Sequence, residues 1–326
     1  MAWMRLSYGV LERLLDSSHP AAGAEVMGTG IVSVALSLDG QELLSRILLV
    51  LAAVMWVALV ASVVTRARRE RAPFLADMRT PAALSSVAGT AVLGTRLTQL
   101  GWSWAGVAAL AIALVLWLAL LGPVLANWRT PTVGATLMLT VSTESLGVLA
   151  ATLAVPGPAH WLLIAALTSS GLGLCFYVFV IRYFDWRQLG LGRGDHWITG
   201  GALAISTLTA GKILAGAETL GTLGDGGGTL EALAVGLWIV TMLWLPLLLL
   251  CEALRPRLAY DVRRWSTVFP FGMYAACSLV VGRAARVGAI TSFGQAWVWV
   301  ALVLWAVVFL AMIHREAAMV RGRRGH

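Results

Sequence analysis

Long hydrophobic runs separated by short polar connections make up most of this chain. Each run covers about 18–23 residues, the length with which an α-helix crosses the hydrocarbon core of a bilayer. The pattern predicts an all-α membrane protein with ten transmembrane helices. The predicted spans are Ala21–Leu38, Leu43–Val64, Ala82–Gln99, Ala105–Ala126, Gly134–Leu153, Trp161–Ile181, Trp197–Leu214, Glu231–Ala253, Ser266–Ala284 and Gln295–Ile313.

The composition supports a membrane protein and excludes most soluble classes. Of the 326 residues, 59% are hydrophobic and 12% are charged, and the mean hydropathy is +0.82. Soluble domains carry about 25% charged residues, so this chain has roughly half the charge that a water-exposed surface needs. We therefore expect the lipid bilayer as its environment, and neither a soluble enzyme nor a nucleic-acid-binding protein.

The distribution of arginines predicts the orientation in the membrane. The net charge is +8, Lys212 is the only lysine, and 19 arginines lie in the two terminal segments and the connections after even-numbered spans. By the positive-inside rule both termini face the cytoplasm, so we expect a multi-pass protein of the cell (inner) membrane. The predicted organisation is a cytoplasmic N-terminal segment (1–20), a transmembrane transport domain (21–316) and a basic cytoplasmic tail (317–326).

Odd-numbered and even-numbered spans differ in their small and polar residues. Gly, Ser and Thr account for 33 of 93 residues in the odd spans but 11 of 107 in the even spans. Glycine allows close helix packing and hydroxyls tolerate a polar environment, whereas lipid favours an apolar surface. The threefold contrast predicts five helical hairpins whose odd-numbered helices form an inner pore ring. Two alternatives are a tightly packed interior and a non-conducting membrane scaffold or sensor.

Several polar residues inside the odd spans are candidates for function. Arg96, Lys212 and Arg283 fall near the outer ends of their spans, where clustered cations would attract anions; snorkelling of each side chain to the headgroups is the alternative. Glu144 lies in the middle of the fifth span and either has a structural role or carries a proton or contacts substrate. The residues expected to line the pore are Gly28, Thr29, Gly30, Ser33, Thr90, Glu144 and Thr207.

A Phe-Pro-Phe sequence in the ninth span is a candidate gate. Pro270 removes a helical hydrogen bond and should kink the helix, with Phe269 and Phe271 on either side of it. A phenylalanine that projects into a narrow pore would act as a hydrophobic gate. Straight helical spacing favours Phe271, because it shares a face with small residues such as Ala275 and Ser278.

Motifs for other chemistry are missing from the sequence. The five histidines are scattered without metal-ligand spacing, and no P-loop, G-x-S-x-G or dinucleotide-binding fingerprint occurs. The three cysteines fall within hydrophobic runs and indicate no disulfide framework. We therefore expect no enzymatic activity, no cofactor and no metal.

Three segments carry a family resemblance: MGTGIVS (Met27–Ser33), DHWITGGALAIST (Asp195–Thr207) and RWSTVFPFGMYAACS (Arg264–Ser278). They resemble the tellurite-resistance/C4-dicarboxylate transporter family, which includes malate carriers, sulphite pumps and slow anion channels. The resemblance implies an anion pore through five inner helices, a homotrimer, and occlusion by a phenylalanine at the position of Phe269. It favours C4-dicarboxylates such as malate among small organic or inorganic anions, with sulphite or tellurite-linked efflux as the alternative.

Overall fold

The computed structural model describes residues 22–191, 194–256 and 260–322, and within these ranges the chain is helical and forms no β-strand. A short helix (Arg71–Asp77) lies between the second and third of ten long helices. The long helices are α1 (Ala22–Leu38), α2 (Glu42–Arg69), α3 (Ser85–Gln99), α4 (Ser103–Ala126), α5 (Met138–Ala154), α6 (His160–Arg182), α7 (Trp197–Thr219), α8 (Gly227–Leu254), α9 (Trp265–Ala284) and α10 (Gly288–Gly322). The predicted all-α class is confirmed.

Of the ten long helices in the described part of the chain, eight have the length and apolar composition needed to cross a membrane. The other two are α1, which is apolar but shorter, and α3. A 3₁₀ turn (Pro81–Leu84) directly precedes α3. At 1.5 Å per α-helical and about 2 Å per 3₁₀ residue, turn and helix together extend roughly 30 Å. The protein is therefore a multi-pass membrane protein, and spans at α1 and α3 remain predictions.

Burial separates the odd-numbered from the even-numbered helices. In the apolar segments of α5, α7 and α9, between 83% and 100% of the residues are buried, against 17% to 28% in α2, α4, α6, α8 and α10. Both groups are apolar enough to cross a membrane. Their difference in burial places the odd-numbered helices inside the protein and leaves the even-numbered helices at its surface.

Helix contacts form a closed cycle among the odd-numbered helices. Helix α1 packs against α3, α3 against α5, α5 against α7, α7 against α9, and α9 against α1 again. Each even-numbered helix packs against the odd-numbered helix before it and also against the next one in the cycle, with α10 reaching α1. The outer helices therefore lie over the junctions between neighbouring inner helices.

Several helix ends differ from the predicted spans. Helix α2 continues to Arg69 and α10 to Gly322, beyond the predicted ends at Val64 and Ile313. Arginine is a good helix former, so hydrogen bonding continues where the apolar pattern stops. The predicted tail (317–326) thus begins as part of α10. The predicted N-terminal segment (1–20) lies outside the described residues.

Candidate anion pathway

A narrow cavity, with room for about one water molecule, lies where the five odd-numbered helices meet. Every one of these helices contributes to its wall, so the cavity lies on the axis of the closed cycle. The lining residues are Ile31 and Val34 of α1, Val92 and Thr95 of α3, Ser145 and Val148 of α5, Ile205, Leu208 and Lys212 of α7, and Met273 of α9.

Lys212 brings the positive charge to this cavity. Its side chain is partly buried, and no hydrogen bond or ion pair joins it to another of the described residues. Two hydroxyls also line the wall, but each donates to a carbonyl of its own helix: Thr95 to Ala91 (2.9 Å) and Ser145 to Val141 (2.6 Å). The cavity therefore combines one ammonium group with walls that are otherwise mainly apolar.

Residues four positions apart share a helix face. One turn before Ile31, Val92, Ser145, Ile205 and Met273 of the cavity wall, the five inner helices carry Met27, Ala88, Val141, Gly201 and Phe269, all buried and apolar. We refer to these five residues as the apolar layer. Phe269 is the largest of these side chains, and it lies one turn before Met273.

The geometry distinguishes the two candidate gate phenylalanines. The Phe269 ring packs on α7, where a carbon added at Gly201 would lie 3.4 Å from Cε1 of the ring. The ring of Phe271 lies 4.8 Å from Trp197 at the start of α7 and 5.3 Å from Trp297 of the outer helix α10, measured between centroids. Phe269 lies one helical turn before Met273 of the cavity wall, whereas Phe271 belongs to an aromatic cluster that reaches the outer helix α10. Helix α9 is continuous through Pro270.

The sequence profile of the family described as voltage-dependent anion channel (SLAC1) matches residues 17–313, nearly the whole chain. The chain belongs to the SLAC1 family. This confirms the resemblance seen in the sequence and makes the chain a member of a family of membrane anion channels and transporters rather than of enzymes.

Two mycobacterial relatives carry no functional description. They are the uncharacterized membrane proteins Rv1735c and MT1776 of Mycobacterium tuberculosis, strains H37Rv and CDC 1551. Each is 33% identical to this SLAC1-family chain over 134 residues, which cover 40% of the chain and 68% of the relative. They support a membrane protein without indicating a substrate.

In this SLAC1-family chain, hydroxyls of the inner helices are hydrogen-bonded to outer helices. In four places a tryptophan of an outer helix donates its indole N–H to a hydroxyl of the next inner helix, over 2.8–3.0 Å. The pairs are Trp56 with Thr90, Trp117 with Thr143, Trp238 with Ser278 and Trp305 with Thr29. Thr29 and Thr90, which the sequence suggested as lining residues, therefore lie at these contacts and not in the cavity wall.

Two other suggested lining residues also bond to outer helices. Ser33 donates to the carbonyl of Ser45 on α2 (2.6 Å), and Ser45 donates to that of Ser33 in return (2.7 Å). The hydroxyls of Thr207 and Thr241 on α8 are 2.8 Å apart. Both contacts tie an inner helix to its outer neighbour, so neither hydroxyl is among those at the cavity.

The suggested glycines occupy close contacts between inner helices. A carbon added at Gly28 would lie 3.1 Å from the indole ring of Trp265 on α9, and one added at Gly30 would lie 2.8 Å from Val92 on α3. A larger side chain at either position would require the neighbouring side chain to shift. These glycines allow α1 to approach both of its neighbours in the cycle.

Glu144 lies behind the cavity wall. Its side chain is fully buried and faces α6, where Ser170 lies within 3.5 Å of Oε1 and a carbon added at Gly173 would lie 2.6 Å from Cγ. Its other oxygen, Oε2, has no hydrogen-bond partner among the described residues. The neighbouring Ser145, not Glu144, reaches the cavity.

The three suggested cations have different environments. Arg96 is buried and pairs with Glu42, with Nη2 2.8 Å from both carboxylate oxygens. Arg283 is exposed at the end of α9. Of the three, Lys212 is the one that lines the cavity, and the sequence alone did not separate it from the others. Within the described part of the chain, no group of three or more His, Cys, Asp or Glu side chains could hold a metal ion.

Proposed function

We propose that this protein moves anions across the membrane through the centre of the five odd-numbered helices, and that Phe269 occludes the path. The observation that carries the proposal is the axial cavity, to which all five inner helices contribute and which holds the Lys212 side chain. A buried route with a positive charge and low-dielectric walls attracts anions and repels cations.

The role of Phe269 is supported by its place in the layer next to the cavity. The ring is fully buried, shares a helix face with Met273, and packs across the boundary between α9 and α7. A ring in this position closes the path by filling it. Opening then requires a change in the Phe269 side chain or a movement of α9 relative to α7.

C4-dicarboxylates such as malate remain the first substrates to test, because the family resemblance favours them. Sulphite and tellurite-linked anions are the alternative within transport. We further propose that the protein is located in the inner membrane with both termini in the cytoplasm and assembles as a homotrimer, as the arginine distribution and the resemblance suggest. A non-conducting scaffold or sensor would show no anion flux at all.

The test is anion flux in liposomes reconstituted with the full chain, comparing wild type with Phe269→Ala. We expect Phe269→Ala to raise the flux at least tenfold, corresponding to a barrier lowered by about 1.4 kcal/mol. The panel contains malate, sulphite, chloride and nitrate.

Phe271→Ala is the matched control, since it removes the same ring two residues away from a position that faces α10. It should fold less stably but leave flux near the wild-type level. Unchanged flux in Phe269→Ala would contradict the gate, and a rise in Phe271→Ala alone would assign the gate to that residue. The absence of flux for every anion and variant would favour the scaffold or sensor.

A further inference from the structure

The ammonium of Lys212 lies at the cavity without a counterion from the described residues. A lysine within a membrane domain is costly unless it pairs with a carboxylate or faces water. Three carboxylates on the surrounding elements point or bond elsewhere: Glu144 faces α6, Glu218 at the end of α7 bonds to Arg286, and Glu42 bonds to Arg96. No described residue supplies the negative charge that would balance this ammonium.

The rest of the cavity wall explains why the ammonium would dominate binding. Thr95 and Ser145 use their hydroxyl hydrogens within their own helices, and the remaining lining side chains are aliphatic or Met. An anion in this space would lose part of its hydration and gain attraction to a single positive charge. That attraction is several times stronger beside low-dielectric walls than in water.

Resting on the proposed function, we infer that Lys212 forms an anion-binding site inside the pathway and sets its preference for anions over cations. One ammonium balances one negative charge, so the site takes one monovalent anion, or one carboxylate of a larger anion, at a time. Lys212 thus acts inside the pathway. Arg283, which is exposed at the end of α9, would act at its outer end.

Conduction is measured first, in the Phe269→Ala background, with Lys212→Met and Lys212→Arg added separately. We expect Lys212→Met to raise the half-saturating chloride concentration at least tenfold, equivalent to about 1.4 kcal/mol, and to reduce the chloride-to-potassium permeability ratio. Lys212→Arg keeps the charge and should stay close to the parent. Arg79→Met, which removes one exposed charge from a connection outside the helices, controls for net charge. Malate is measured in parallel and should show the same dependence on Lys212.

Binding is measured separately, without any transport, on the purified full chain in detergent. Replacing gluconate with chloride or nitrate at constant ionic strength should raise the Tm of the wild type and of Lys212→Arg, because a ligand that binds only the folded state stabilises it. The shift should be lost in Lys212→Met. Lys212→Gln serves as a second neutral variant if Lys212→Met does not fold.

The two measurements separate failure of this inference from failure of the proposed function. If anions raise the Tm in a Lys212-dependent way but no variant shows flux, the binding site is supported and conduction is rejected. Flux through Phe269→Ala that keeps its chloride dependence and ion selectivity after Lys212→Met would overturn the inference and leave the pathway intact. An anion-induced Tm shift that persists in both neutral variants would also overturn it.

Discussion

The ion pair between Arg96 and Glu42 joins a buried partner to a partly exposed one, so we predict that removing each partner has a different cost in stability. The side chain of Arg96 is 1% exposed and that of Glu42 is 41% exposed. Arg96 donates through Nη2 to both oxygens of Glu42 at 2.8 Å and through Nε to Ser45 at 2.7 Å. Neutralising Glu42 would strand a buried guanidinium, whereas removing Arg96 would leave a carboxylate that water already reaches.

The exposure of each partner sets the expected cost. Leaving a buried charge without its partner costs about 3–5 kcal/mol. Because Glu42 is partly solvated and a glutamine still accepts one hydrogen bond, we expect Glu42→Gln to cost about 2–3 kcal/mol at this site. Arg96→Met keeps the volume and strands no buried charge, so we expect a cost of about 1 kcal/mol or less.

The assay is thermal unfolding of the single and double variants in one detergent at one scan rate, since membrane proteins commonly unfold irreversibly. We expect the order of Tm to be wild type, then Arg96→Met, then Glu42→Gln, with Arg96→Met partly rescuing Glu42→Gln in the double variant. Arg96→Met should also leave the anion preference unchanged, because Arg96 pairs with Glu42 and does not line the cavity. The reasoning is refuted if Arg96→Met is the more destabilising single variant, or if the two effects simply add.

Two further predictions concern the packing beside the pathway. Glu144→Gln should leave flux and its pH profile unchanged in liposomes, because the side chain faces Gly173 and not the cavity; loss of a pH dependence present in the wild type would instead assign it a proton-carrying role. Gly201→Ala should lower the Tm, at a cost of about 1–3 kcal/mol for overpacking, because the new carbon would lie 2.7 Å from Cγ of Pro270 and 3.4 Å from the ring of Phe269. An unchanged Tm would mean that α9 shifts without cost.

The hydrophobic pattern was sufficient to predict the helical class and the contrast between inner and outer helices. Lipid imposes a composition on every residue that faces it, so the surface helices can be recognised from their sequence alone. Helix ends were less predictable. The extension of α2 to Arg69 and of α10 to Gly322 depends on backbone hydrogen bonding that continues after the hydrophobic run has ended.

The site was predictable in its residue types but not in their directions. Composition shows that a helix is rich in hydroxyls, whereas the face on which each hydroxyl lies depends on how the helix is rotated in the assembly. Thr29 and Thr95 illustrate the difference: the first accepts a hydrogen bond from Trp305 of α10, and the second lies in the cavity wall. Phe269 and Phe271 were ambiguous for the same reason.

The hydrogen bonds between tryptophans and hydroxyls give a second reason for the contrast between odd and even spans. Four outer helices each donate an indole N–H to the next inner helix in the cycle. The fifth such junction lies between α6 and α7. There the tryptophan of α6, Trp161, is exposed. At this junction the hydroxyl of Ser170 on α6 lies 3.5 Å from Oε1 of Glu144. The hydroxyl of Thr209 on α7 lies 3.4 Å from the main-chain oxygen of Glu144.

This arrangement has a consequence for the pathway. The hydroxyls that accept indole N–H groups connect the inner helices to the outer ones, and each also donates its own hydrogen to another protein atom. They are therefore not free to solvate an ion at the centre of the cycle. The wall is left with aliphatic side chains, two hydroxyls whose hydrogens are already bonded, and the ammonium of Lys212. In the proposed pathway, selection of ions by charge therefore depends far more on Lys212 than the many hydroxyls of the odd spans would suggest, and a single substitution at Lys212 can test this proposal.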